Sequence, residues 1–236
     1  MSLLTNNPPQ LCRWHSFNTT AELEQAATHA ILQAALQAIS LRGAFHIVLA
    51  GGTTPRRIYE SLRNAEADWA TWHVYFGDER CLPADHMERN SLMAAQAWLN
   101  HVPIPLTQIH FIPTEKGAQA AASAYTQTLV GIELFDLVLL GLGEDGHTAS
   151  LFSGHELANT ANAPGVIVVE NAPKYPPQRV SLSAHRLSAT RKVIFIVSGA
   201  TKQQAVKKWR NGIAIPAAAI SPTNGVDVYL EAALLA

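Results

Sequence analysis

Asp145 and His147 stand two residues apart in the most informative stretch of the chain, Leu139-Leu-Gly-Leu-Gly-Glu-Asp145-Gly-His147-Thr-Ala-Ser-Leu-Phe152. A histidine can act as a general base near neutral pH, and a nearby aspartate orients it or holds a polar group. The apolar run Leu137–Leu140 drives straight into this glycine-rich turn. That is how a buried parallel strand delivers side chains to the open end of a sheet. A histidine taken singly is more often an incidental turn or core residue. Glycines at 141, 143 and 146 framing an acid–base pair favour a site.

Three further segments carry groups of the same kind. Gly51-Gly52-Thr53-Thr54 precedes a helical pattern, so its backbone N–H groups and the helix N-terminus make a phosphate cradle. Asp78-Glu79-Arg80 follows an apolar run and Gly77, and Lys202 follows another run and Gly199. Arg179 opens the short strand-like segment Arg179-Val-Ser-Leu182. Arg80, Arg179 and Lys202 are the candidate anion partners: Arg offers a planar fork and Lys a point charge. The ordinary fate of each is a solvated surface cation, and the pattern is weakest for Arg179.

The glycine spacing is neither a dinucleotide fingerprint nor a Walker loop, which argues against hydride transfer and nucleotide hydrolysis. No Ser or Cys sits in a nucleophile elbow, and no His, Cys or carboxylate set has metal-ligand spacing. Neither a cofactor nor a metal is expected. The residues by themselves point to a small phosphorylated substrate handled by a histidine acid or base.

These turns need a frame. Arg13–Phe17, Phe45–Leu49, Trp72–Phe76, Ile109–Ile112, Asp136–Leu140, Val166–Val169, Arg179–Leu182, Val193–Val197 and Val226–Leu230 read as strands. Pro8-Pro9 marks a loose start. Thr19 and Thr20 cap a helix whose residues Leu23, Ala27, Ala30, Ile31, Ala34, Ala38 and Leu41 fall at helical spacing and which Gly43 stops. Helices are also expected at 55–64, 91–99, 117–129 and from Gly199 to about Arg210. Alternation of strands and helices implies an α/β fold, a mostly parallel Rossmann-like sheet with helices on both faces, in one domain spanning 1–236. Ligands in such sheets bind outside the strands' carboxyl ends, where the four polar turns converge.

Composition sets outer bounds. The 236 residues are 48% hydrophobic and 15% charged, enough apolar matter for a large core. A net charge of -1 argues against nucleic acid or an anionic membrane as partner. No apolar run reaches the ~20 residues needed to span a bilayer. The start of the chain has no signal-peptide pattern, and Cys12 and Cys81 have no metal-ligand spacing. A reduced, cytoplasmic protein is the expectation.

Taken together, Ala50-Gly-Gly-Thr-Thr-Pro55, Gly77-Asp-Glu-Arg80, the Gly141–Phe152 segment, Arg179-Val-Ser-Leu182 and Gly199-x-x-Lys202 resemble the 6-phosphogluconolactonase family from about Phe45 to Leu230. That family shares its fold with glucosamine-6-phosphate deaminases and ribose-5-phosphate isomerases. The resemblance implies hydrolysis of 6-phospho-D-glucono-1,5-lactone in the oxidative pentose phosphate pathway. His147 would be the base for water attack and Asp145 its positioning partner. Gly51, Gly52, Thr53, Thr54, Asp78, Arg80, Arg179 and Lys202 would line the substrate and phosphate site. The sister deaminases carry Tyr where Arg80 stands, and a Glu in the segment that here reads Ser150-Leu-Phe-Ser-Gly154. The lactonase pattern has Pro where Ser153 stands, a change expected to relax the turn and leave chemistry intact. A deaminase, or a non-catalytic sugar-phosphate sensor, is the competing reading.

Overall fold

The computed structural model describes residues 10–236; Pro8 and Pro9 lie outside them. Its strands are β1 (Cys12–Phe17), β2 (Phe45–Leu49), β3 (Trp72–Phe76), β4 (Asp78–Arg80), β5 (Ile109–His110), β6 (Leu137–Gly141), β7 (Val166–Val169), β8 (Arg179–Leu182), β9 (Val193–Val197) and β10 (Val226–Glu231). Its α-helices are α1 (Thr20–Arg42), α2 (Thr53–Leu62), α3 (Asn90–Ala97), α4 (Ala118–Thr128), α5 (Ala184–Ser188) and α6 (Gln203–Arg210). Seven strands form a sheet in the order β1-β10-β9-β6-β2-β3-β5, parallel at every pairing. Every residue of β9 is buried, as are Leu137–Leu140 of β6, so the middle of the sheet is covered on both faces.

The chain leaves the centre in opposite directions. From β2 it runs outward to β3 and β5, and from β6 outward to β9 and β10. The β2–β6 boundary is therefore a topological switch point, where the carboxyl ends of neighbouring strands open a crevice.

Local signals explain the framework. Thr19 Oγ1 accepts from Glu22 N–H at 3.1 Å while Glu22 Oε2 accepts from Asn18 N–H at 2.9 Å, a reciprocal cap that starts α1. Gly43, at φ 79°, closes it by donating to the Ile39 carbonyl. The buried stripe of α1 follows Leu23, Ala27, Ile31, Ala35 and Ala38, leaving Leu41 exposed rather than on the core face.

Several expectations need correction. Asp78-Glu79-Arg80 is not a turn but β4, which pairs antiparallel with β8 and, through it, β7 in a separate three-stranded sheet. Charged residues are poor strand formers by propensity. Glu79 is nevertheless fully buried, because its carboxylate accepts the N–H groups of Asn90 and Ser91 at 2.8 Å each and pairs with Arg89 at 3.1 Å. It thus serves as a distant cap for α3. Secondly, β5 stops at His110 rather than Ile112, and α2 starts at Thr53 rather than Pro55. Helix α5, capped by Ser183, was not anticipated.

Strands β2, β3 and β5 carry a stack of imidazoles. His46 on β2 stacks on His73 on β3 at 4.7 Å, His73 lies 5.7 Å from His110 on β5, and Tyr75 lies 4.4 Å from His110. Burial, and for His46 and His110 a histidine neighbour, lowers all three from the ordinary imidazole value, His110 to about 4. The folded state thus holds them neutral while the unfolded chain protonates them near 6.5. Stability from this stack is complete above pH ~6.5 and is lost as pH falls toward about 4. Thermal melts between pH 7.5 and 4.5 should show a steep acid loss that His110→Gln makes shallower. Parallel curves for the two proteins would exclude the stack as a cause.

Candidate active site

A cleft opens at the switch point. It is lined by Gly51 and Gly52 after β2, Gly77, Asp78 and Arg80 around β4, Asn90 on α3, Gly141, His147 and Ala149 after β6, and Arg179 on β8. Sequence reading placed Gly51, Gly52, Asp78, Arg80, His147 and Arg179 together, and the fold brings them together. Asp145 stands behind His147, and Thr53, Thr54 and Lys202 do not line the cleft. Thr54 Oγ1 instead meets Ser198 Oγ at 2.5 Å, tying the start of α2 to the end of β9. Lys202 sits in a helical turn after β9, half-buried, within electrostatic reach of Glu144 and Asp145.

The acid–base pair is tightly set. His147 Nδ1 lies 2.5 Å from Asp145 Oδ1, whose oxygen also accepts the His147 N–H at 3.3 Å. A proton held on Nδ1 toward the carboxylate leaves Nε2, which has no partner among the described residues, with its lone pair free. Burial lowers the His147 imidazole from its ordinary value; the Asp145 bond and charge oppose this, and the Lys174 charge adds to it. Burial would raise the Asp145 carboxyl, but its bonds to His147 outweigh that and leave it below the ordinary range. The ring of His147 lies 4.7 Å from that of Phe152, an apolar wall. A Cβ on Gly143 would overlap both His147 Nδ1 and Asp145 Oδ1, so glycine is required for the pair to form.

The opposite wall is built from long-range contacts. Asp78, almost fully buried, accepts from Ser150 Oγ at 2.6 Å and Asn90 Nδ2 at 3.0 Å. A Cβ on Gly51 would overlap Asn90 Oδ1, so the glycine lets α3 approach the β2 turn. Arg80 donates through Nη1 to the Glu88 carbonyl, while its Nε is buried without a partner. A buried donor left unpaired is costly. Asn90 escaped the sequence reading, and the roles of Glu79 and Ser150 stayed hidden inside the motifs that hold them, because their partners lie up to 72 residues away. Among the described residues no group of His, Cys, Asp or Glu is placed to hold a metal ion, and no helix is long and apolar enough to cross a membrane.

Residues 18–229 match the family model described as glucosamine-6-phosphate isomerases/6-phosphogluconolactonase. The chain belongs to that family. A Nostoc sp. relative named 6-phosphogluconolactonase is 35% identical over 83% of this chain and 85% of its own. An Oryza sativa subsp. indica relative named probable 6-phosphogluconolactonase 4, chloroplastic, is 37% identical over 71% of this chain, which spans only 56% of that relative's length. A solved structure titled 6-phosphogluconolactonase from Trypanosoma cruzi superposes with a TM-score of 0.83, at 25% identity, covering 97% of both chains. The family assignment agrees with the α/β fold and the mostly parallel sheet.

Proposed function

We propose that this member hydrolyses 6-phospho-D-glucono-1,5-lactone to 6-phospho-D-gluconate, in the oxidative pentose phosphate pathway. The observation that carries the reading is the Asp145–His147 pair with its free Nε2, its imidazole set in one cleft with Arg80 and Arg179. His147 Nε2 takes a proton from water as the water oxygen attacks the lactone carbonyl. The tetrahedral intermediate collapses with cleavage of the bond to the ring oxygen, which receives that proton from the imidazolium. The new carboxylic acid then ionises to solvent. Asp145 fixes the tautomer and steadies the imidazolium. Arg80 meets the substrate phosphate, and Asp78, held by Ser150 and Asn90, accepts a sugar hydroxyl.

The deaminase reading fits this site less well. His147 is bonded to no carboxylate except Asp145, and the side chain packed on its ring is Phe152. Two free cysteines among the described residues fit a reducing compartment such as the cytoplasm.

The pH profile tests this pairing. Because the imidazole is held below its ordinary value, activity should persist as pH falls through 6.5 and fail only at a lower value. Asp145→Asn removes the largest of the effects that raise the His147 pKa, so the acid limb should move to still lower pH. Turnover should fall about tenfold or more, because the tautomer is no longer fixed. An unmoved limb with undiminished turnover would remove Asp145 from the mechanism.

A further inference from the structure

Two buried tyrosines that take no part in the reaction as described finish the strands that enter the cleft. Tyr59 on α2 and Tyr125 on α4 are both fully buried. Tyr59 Oη donates to the Ala50 carbonyl at 2.9 Å and accepts the Ala50 N–H at 3.0 Å. Tyr125 Oη donates to the Phe76 carbonyl at 3.0 Å and accepts the Phe76 N–H at 2.9 Å. Each hydroxyl thus takes the place of a neighbouring strand. β2 pairs with β6 only as far as Val48 and Val138, although β6 goes on beside β9 to Gly141. β3 pairs with β5 only as far as Tyr75 and His110. Ala50 and Phe76 lie just past these ends, where an unpaired buried backbone group would be costly. Burial raises both phenols above their ordinary value, so each keeps the proton it donates.

Ala50 and Phe76 stand immediately before Gly51-Gly52 and Gly77-Asp78, the backbone that lines the cleft. Gly51 and Gly52 have no side chains to hold them, so the direction of their N–H groups depends on the anchors at either end. Those anchors are Tyr59 at Ala50 and the first turn of α2, where the Arg56 N–H donates to the Gly52 carbonyl at 3.1 Å. The Leu49 carbonyl accepts the Gly77 N–H at 3.0 Å on the β3 side, so the next residue, Ala50, turns its backbone groups toward β6. Were β6 to take them instead of Tyr59, the crevice would close at its floor. We infer that Tyr59 and Tyr125 are positioning residues: their hydroxyls hold the ends of β2 and β3, keep β2 apart from β6, and so set the backbone wall on which the substrate lies. The inference rests on the reading of the cleft as the substrate site. The Asp145–His147 turn is carried by β6 and its pairing with β9, to which neither hydroxyl is bonded. The tyrosines therefore govern binding rather than proton transfer.

Tyr59→Phe keeps the ring and removes only the bonds to Ala50. In this variant kcat should stay within about twofold of native while KM for 6-phospho-D-glucono-1,5-lactone rises about 5–10-fold, because binding shared by ground and transition states is lost. Affinity for 6-phosphogluconate, measured by calorimetry, should fall by the same factor. Amide hydrogen exchange should quicken about tenfold or more at residues 50–52 and stay native in β9. Tyr125→Phe should show the same pattern at residues 76–78, and it carries the test if Tyr59→Phe does not fold. Thr190→Val is the matched control. It removes a buried hydroxyl bonded to the Phe135 and Lys192 carbonyls at 3.1 Å each, at the opposite end of the sheet. It should lower the melting temperature and leave KM native. Native KM and product affinity in the tyrosine variants, a fall in kcat with KM unmoved, or an equal rise of KM in Thr190→Val would each overturn the proposal. If the native protein neither opens the lactone nor binds 6-phosphogluconate, the sugar-phosphate reading fails. Exchange at residues 50–52 and 76–78 then decides the role of the tyrosines, and native rates there in both variants would refute it.

Discussion

His147→Ala is expected to fold as the native protein does and to lose ~10²–10⁴-fold in lactone turnover, the usual contribution of a positioned general base. The side chain is only 15% exposed, but it packs at the cleft edge and joins no core cluster. Its removal vacates a solvent-facing pocket rather than a sealed one, so the stability change should be small. His147→Gln, which preserves bulk and polarity without a basic nitrogen, should lose as much turnover as alanine. That outcome would separate proton transfer from packing against Phe152. Native-like turnover in either variant would remove His147 as the base. Because such lactones also open unaided, the rates compared are those in excess of the uncatalysed reaction.

A second large effect is expected in the selectivity for phosphate. Arg80 enters the cleft from β4 with its Nε buried and unpaired. Its strand neighbour across the sheet is Arg179, so two cations lie side by side with Asp78 as the nearby acid. Charge-assisted hydrogen bonds are worth ~1.5–3 kcal/mol each, and losing even one shifts a specificity constant about tenfold or more. The native protein should therefore strongly prefer the 6-phosphorylated lactone to gluconolactone. Arg80→Ala should erase much of that preference by lowering kcat/KM for the phosphorylated substrate alone. If Arg80 serves only to hold the Glu88 carbonyl, both substrates would suffer alike. An unchanged ratio would remove Arg80 from the phosphate site.

Strands β2, β3, β7 and β9 were legible residue for residue, because apolar β-branched or aromatic runs bounded by glycine, proline or a cap leave little choice of register. The Asp145–His147 pair was legible for a related reason: both residues lie within one turn, and the glycines that allow their contact are neighbours in sequence. What stayed hidden depends on distant partners. β4 is a strand because β8 and α3 receive it, not because Asp78, Glu79 and Arg80 favour extended structure. Arg179 reads as a free cation in sequence, and only the fold shows its guanidinium spent largely on the 174–176 carbonyls. Lys202 and Thr54 follow glycine turns just as the cleft residues do. The path of the chain after each turn decides which side chains face the crevice, and periodicity carries no record of that path.

The central claim is tested most directly by offering the purified protein freshly generated 6-phospho-D-glucono-1,5-lactone and, in parallel, glucosamine 6-phosphate. Acid release from the first is followed against the spontaneous rate, and ammonia release from the second. The site described here predicts rapid lactone opening that disappears in His147→Ala and no ammonia. Ammonia release, or lactone opening no faster than the uncatalysed rate, would contradict it.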